Sequence, residues 1–205
     1  MRHMLVIAAC EREAAPFRAA GLSAVVSGVG RVNSAIATVL ALQHEAYDCV
    51  YSVGFAGALP GSDLCQGDVV VATNAVYLEE GMMTPEGFID LASMGFGLAE
   101  FFDGNAVACT AAVPEGLASV THGTIATVAT CSGTAAMARA CVERTGAVAE
   151  AMEGAAVVHA ARLSGIAAGE LRAISNQTGN RAEQAWDVAA AERGLTRIAA
   201  ALAAV

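Results

Sequence analysis

The 205-residue chain contains no lysine: its 11 basic residues are all arginine, set against 20 acidic ones, for a formal net charge of -9. Without a basic stripe it has nothing to displace counterions from phosphates, so nucleic acid is excluded as a partner. Aromatic residues make up 5% of the chain, with one Trp, at position 186. Long apolar runs are missing as well. Although 56% of the residues are hydrophobic, a membrane-spanning helix needs about 20 in succession. Every run here is broken by Gly, charge or polar residues, as in VVSGVGRVNSA and TVATCSGTAA, so no membrane association is expected. The opening MRHMLVIAACERE lacks the length and cleavage pattern of a signal peptide and reads as the first buried strand of a cytoplasmic protein. Cys10, Cys49, Cys65, Cys109, Cys131 and Cys141 form no C-x-x-C pair. Neither they nor the four scattered histidines have metal-ligand spacing, so buried thiols are expected and no metal.

What the chain does have is alternation. Short runs rich in Val and Ile at 4–9, 24–28, 49–54, 68–73, 124–130, 147–152 and 170–175 read as strands, and Ala-rich stretches at 31–46, 134–145, 153–164 and 187–204 as helices. Near-continuous apolar runs suit strands buried on both faces, hence a mainly parallel sheet between helices. A chain of this length removes roughly 70% of its unfolded surface from water, enough for a full core. The expected fold is α/β: one domain over 1–205, a three-layer sandwich with a central mixed, mostly parallel sheet. The stretch 79–102, EEGMMTPEGFIDLASMGFGLAEFF, fits neither period. With Met82, Met83, Phe88, Met94 and Phe96 among Gly and Pro it reads as a lid, or else as a packing excursion or subunit contact.

Open α/β sheets bind ligands beyond the carboxyl ends of their strands, and here those positions are polar. Glu13 follows the first strand and Glu153 the strand at 147–152. Each by itself reads as well as a first-turn acid complementing a helix dipole. Together they would bring two carboxylates into one crevice, as water activation plus hydroxyl binding requires. Gly154, next to Glu153, would permit close approach of a ligand. The segments Gly28-Val29-Gly30-Arg31 and Gly54-Phe55-Ala56-Gly57 read as two tight turns whose amides approach a small ligand beside one guanidinium. GVGRVN lacks the last Gly of the dinucleotide fingerprint, which disfavours a Rossmann dehydrogenase.

The order ACERE, SGVGRVNSA, VGFAGAL with GDVVVA, AMEGAAVVHAARL and RAISNQTGNR resembles the nucleoside phosphorylase and nucleosidase superfamily over nearly the whole chain. Within it, EEGMMTPEGFIDL and ISN-x-x-GNR followed by Trp are most similar to the futalosine hydrolase branch, which serves menaquinone biosynthesis. The nearest branch by mechanism is methylthioadenosine/S-adenosylhomocysteine nucleosidase. The resemblance implies no cofactor and a nucleoside substrate, futalosine, cleaved by water. Glu13 would be the base, Met152 and Glu153 the ribose contacts, and Asn176 the purine contact, with Arg31, Phe55, Ala56 and Gly57 lining the site. It also implies a homodimer or higher homo-oligomer with part of the lid supplied across the interface.

Where the methylthioadenosine branch has an Asp, this chain has Asn176. Hypoxanthine presents two acceptors, N7 and O6, which the two hydrogens of an amide nitrogen would serve; adenine presents an acceptor and a donor. Asn176 therefore favours a 6-oxopurine. Glu11 and Glu13 in the first loop would repel a phosphate dianion and suit water, although Arg31 leaves phosphorolysis open. Met82 and Phe88 would cover the 5' substituent, and Arg181 is the candidate for its benzoate, with a solvated loop Arg as the other reading. The alternatives are a methylthioadenosine or 6-aminofutalosine nucleosidase, a purine nucleoside phosphorylase, and a non-catalytic nucleoside-binding protein.

Overall fold

In the computed structural model, which describes residues 3–205, all five residues of β1 (Met4–Ala8) are buried. Its side chains divide by the two-residue period of a strand. Met4, Val6 and Ala8 enter one core with Ala14 and Phe17 of α1 (Glu11–Ala19) and with Leu195, Ile198 and Leu202 of α5 (Val188–Ala203). Leu5 and Ile7 enter a second core with Ala155, Val158 and Ala161 of α4 (Gly154–Leu163), against which Ala35 and Leu42 of α2 (Arg31–His44) pack. Helices thus cover both faces of the sheet, as the unalternating apolar runs require.

The sheet itself departs from the expected layer. β1 pairs in parallel with β2 (Ser23–Val26) and with the first half of β3 (Cys49–Ala58). β3 outruns β1, and its far end pairs with the antiparallel β10 (Ala149–Ala151). β10 runs parallel to β9 (Thr121–Thr127), which runs parallel to β4 (Val69–Tyr77). The long β11 (Ala167–Gln177) then joins β4, antiparallel, to β3, parallel. The pairings therefore form a circuit, so the sheet is mixed and turns back on itself; the longest ladder, β3 with β11, is parallel as expected. Two short strands, β7 (Phe102–Asp103) and β8 (Ala106–Ala108), extend β4 at its edge. The remaining helix, α3 (Ala135–Thr145), is capped by Thr134 and ends at Gly146.

Three differences from the sequence reading have local causes. α1 is a helix in spite of Pro16, whose ring removes one backbone donor, and it is held by Phe17 in the core. Gly54 to Gly57 are not a turn but the second half of β3. The stretch 79–102 forms a hairpin, β5 (Gly81–Thr84) with β6 (Gly87–Asp90), followed by irregular chain that ends with Phe101 and Phe102 packed on the second core. Among the described residues no helix is long and apolar enough to cross a membrane. Leu195 is fully buried, so Leu195→Ala should lower stability by about 3 kcal/mol through lost burial and a residual cavity. Chemical denaturation monitored by circular dichroism would measure this; an unchanged midpoint would contradict the assigned core.

Candidate active site

β11 carries two opposite charges, Glu170 and Arg172, on one face of an otherwise apolar run. Both are buried, at 1% and 0% exposure. Arg172 Nε donates to Glu170 Oε1 at 2.8 Å and Nη2 to Ser52 Oγ at 3.0 Å, while Nη1 lies 3.3 Å from Glu153 Oε2. Burial pulls the guanidinium's pKa down, but Glu170, Glu153 and Glu13 around it prevail and hold it above its ordinary value. Burial also raises the Glu170 carboxyl, against the pull of Arg172. A Cβ at Gly54 would stand 2.6 Å from Glu13 Oε1 and 2.7 Å from Arg172 Nη1, so the glycine in β3 is what leaves room for both side chains.

Glu153 immediately precedes α4, yet its carboxylate does not serve that helix. Oε1 accepts the Gly30 amide at 3.0 Å, and Oε2 faces Arg172. Gly30, at φ 95°, takes a backbone conformation open to glycine as it starts α2, which aims its N–H at Glu153. The expected role of Gly154 is corrected: a Cβ there would fall 2.0 Å from the carboxyl atoms of Glu170, so its space admits a buried side chain, not a ligand.

Glu13, on the first turn of α1, is buried. Its Oε2 accepts the amides of Ala9 and Cys10 at 3.1 and 3.2 Å, and Oε1 accepts that of Phe55 at 2.7 Å. The reading as a first-turn acid of the helix is thus realised as a cap, and the capping bonds fix where the carboxylate points. Asn176 follows a bulge in β11: Ile174 pairs with Ala56 and Asn176 with Gly57, leaving Ser175 extra. Bulges re-aim side chains next to functional sites. Asn176 Nδ2 donates to the Gln177 carbonyl at 3.1 Å, and Oδ1 accepts from Ser175 Oγ at 2.9 Å. One N–H therefore remains for a ligand, where the sequence reading had counted two.

Glu13, Met152, Glu153 and Asn176 line a single cavity of about 230 Å³, together with Phe55, Ala56 and Gly57. Four candidates lie elsewhere. Arg31 faces Glu79 and Glu80 at 3.5 and 3.0 Å. Met82 is exposed on β5. Phe88 sits under Arg144, and Arg181 stacks on Trp186, which itself lines the cavity. Sequence reasoning missed Arg172 and Glu170, although two opposite charges two residues apart in a buried strand were a legible signal. It also missed Glu150, a third carboxylate lining the cavity, whose Oε1 and Oε2 accept the amide and hydroxyl of Ser132 at 2.8 and 2.6 Å. No arginine or histidine is among the lining residues, so the site disfavours a phosphate dianion and suits a neutral nucleophile. Among the described residues no group of His, Cys, Asp or Glu could hold a metal ion.

The model of the phosphorylase superfamily matches residues 18–205. The chain belongs to this superfamily. It is 40% identical over 184 residues to a futalosine hydrolase of Acidothermus cellulolyticus, covering 88% of this chain and 74% of that protein. To a futalosine hydrolase of Streptomyces coelicolor it is 36% identical over 191 residues, covering 90% and 80%. The superfamily fold recurs in the methylthioadenosine/S-adenosylhomocysteine nucleosidase of Neisseria meningitidis, solved with methylthio-immucillin-A. That structure has a TM-score of 0.79 at 21% identity, with both chains fully covered. A futalosine hydrolase mutant of Helicobacter pylori has a TM-score of 0.76 at 19% identity, over 98% and 97% of the two chains.

For this superfamily member, Arg172→Leu should cost about 3–5 kcal/mol by leaving buried carboxylates without their counter-charge. Glu170, already raised by burial, would lose the opposing pull of Arg172 and lie further above its unfolded value, so the folded variant binds protons preferentially and recovers stability as pH falls. Urea titrations at pH 8 and pH 5 would test this; a deficit that is equal at both, or larger at pH 5, contradicts the charge assignment.

Proposed function

We propose that this protein hydrolyses the N-glycosidic bond of futalosine, releasing hypoxanthine and leaving dehypoxanthine futalosine, in menaquinone biosynthesis in the cytoplasm. The observation that carries the reading is the cavity in which Glu13, Glu153 and Asn176 meet without a lining cation, in a chain whose curated relatives are futalosine hydrolases.

In the reaction the C1'–N9 bond loosens toward an oxocarbenium-like ribosyl, as in other glycoside cleavages. Glu13, oriented by three backbone amides, takes the proton of the attacking water. Glu153 accepts the 2'- and 3'-hydroxyls, and its charge favours the developing cation, with Met152 against the sugar. The free N–H of Asn176 supports the departing base. In phosphate-free buffer, chromatography of reactions with futalosine, 6-aminofutalosine, inosine and methylthioadenosine should show hypoxanthine from futalosine alone. Glu13→Gln should slow that release by about 10²–10⁴-fold. Adenine release, or turnover that needs added phosphate, would overturn the reading.

The cavity lies below the roughly 300 Å³ at which sites for whole small-molecule ligands begin, which suits base and sugar and leaves the 5' end of the substrate uncovered. Val32, Ile36, Val39 and Leu40 form an exposed apolar stripe along α2, at 69%, 54%, 39% and 51% exposure. A stripe of this kind marks an interface, and a two-fold partner seated there suits the lid expected from the superfamily. Ile36→Glu should turn the dimer into monomers in light scattering and reduce futalosine turnover; a dimer unchanged by the substitution contradicts this assignment.

A further inference from the structure

Glu150 and Asn176 are brought to one side of the cavity by a row of paired residues. Glu150 of β10 pairs with Gly57 of β3, and Gly57 pairs with Asn176 of β11. Residues paired across adjacent strands project from the same face, and each strand spacing is about 4.8 Å. The backbones of Glu150 and Asn176 thus stand about 10 Å apart, with a residue that has no side chain between them. A Cβ at Gly57 would meet the Thr178 methyl at 2.7 Å and the Asn176 amide at 3.4 Å, so glycine here is what lets the Asn176 side chain lean over β3 toward Glu150. Glu150, Gly57 and Asn176 all line the cavity, with a carboxylate on one side and a carboxamide on the other.

Both walls have hydrogen-bonding capacity left, and of complementary kinds. Ser132 occupies one acceptor position on each oxygen of Glu150; a carboxylate has about four, so one per oxygen remains. Asn176 retains a single N–H, because the other goes to the Gln177 carbonyl. One N–H cannot satisfy both N7 and O6 of a 6-oxopurine, so Asn176 alone reads too little of the base to define it. The edge left over carries N1–H, a donor in hypoxanthine, where adenine has an acceptor.

On the reading of this cavity as a nucleosidase site, we propose that Glu150 accepts N1–H of the 6-oxopurine, making it a specificity-determining residue that acts with Asn176 across Gly57. A carboxylate facing the N1 lone pair of adenine would leave two buried acceptors opposed, the kind of mismatch that discriminates strongly. Ser132 fixes the carboxylate in place, and its own carbonyl accepts from Gln184 Nε2 at 2.9 Å, so the wall is braced from the segment before α5.

The alternative is that Glu150 only ties the Ser132 loop to the sheet, in which case its loss would weaken every substrate equally. Two measurements separate these. In calorimetric titrations of the wild-type protein, hypoxanthine should bind about 10–100-fold more tightly than its 1-deaza analogue, in which C–H replaces N1–H without change of shape. For Glu150→Gln, kcat/KM should fall about 10–100-fold on futalosine, and the preference of the wild type for hypoxanthine over adenine in the same titrations should be lost, since an amide can donate to N1 of a 6-aminopurine. Equal binding of hypoxanthine and its 1-deaza analogue by the wild type, or a variant that keeps the full wild-type preference for hypoxanthine over adenine, would overturn the assignment while leaving the nucleosidase reading intact. A wild-type protein that binds no purine and cleaves no nucleoside would overturn both.

Discussion

Arg172 is a single guanidinium held among three buried carboxylates, and much of the surrounding architecture exists to let it stay there. It bonds Glu170 and Ser52, faces Glu153, and feels the charge of Glu13 across the space left by Gly54. A buried charge is tolerated only when paired and hydrogen-bonded, and this one is paired from several directions at once. The backbone has adapted at two points to make room. Gly54 in β3 and Gly154 at the start of α4 both lie where a methyl would collide with one of the charged side chains. The pairing therefore links β3, β11, α1 and α4 into one electrostatic unit, and the proposed base and sugar contact are two of its members.

That unit also sets the sign of the site. With Arg172 beneath the surface and no cation among the lining residues, the cavity presents Glu13, Glu150 and Glu153. Arg12 is bound to Glu192, Arg18 to Glu11, and Arg31 faces Glu79 and Glu80, so the arginines that might have drawn an anion toward the first loops are already paired. A dianion entering such a site meets repulsion, whereas water and a ribosyl developing positive charge do not. The same superfamily fold accommodates phosphorolysis and hydrolysis, and the distinction here rests on the charge of the lining, not on the fold.

Most of the frame was legible because buried strands and Ala-rich helices announce themselves locally. That Glu13, Met152, Glu153 and Asn176 share one cavity was legible from the recognisable order of their motifs, although Asn176 lies within β11 and not after it. What failed had long-range causes. GFAG looked like a turn since glycine usually punctuates chains, whereas Gly54 sits in a strand to admit side chains from α1 and β11. The circuit of strands depends on β3 outrunning β1, a length that no local signal gives. Arg31 carried the right charge at a plausible place, but acids nearly fifty residues away had claimed it. Glu150 was overlooked because an acid within an apolar run suggests an edge, and only the pairing with Gly57 shows that it faces the cavity.

Glu13 shows why the structural role of a residue and the catalytic role proposed for it need not compete. As a capping acid its Oε2 accepts the Ala9 and Cys10 amides, and those bonds, with that from Phe55 to Oε1, remove its rotational freedom. A general base works best when it needs no reorganisation as the proton moves. Oε2 is filled by its two amides, whereas Oε1 keeps one acceptor position beyond the Phe55 amide, so orientation and the proposed proton acceptance draw on different lone pairs. The local rule that places a Glu in the first turn of a helix after a βα loop thereby supplies the preorganisation that the proposed chemistry requires, and the bulge at Ser175 aims Asn176, the proposed base contact, in the same way.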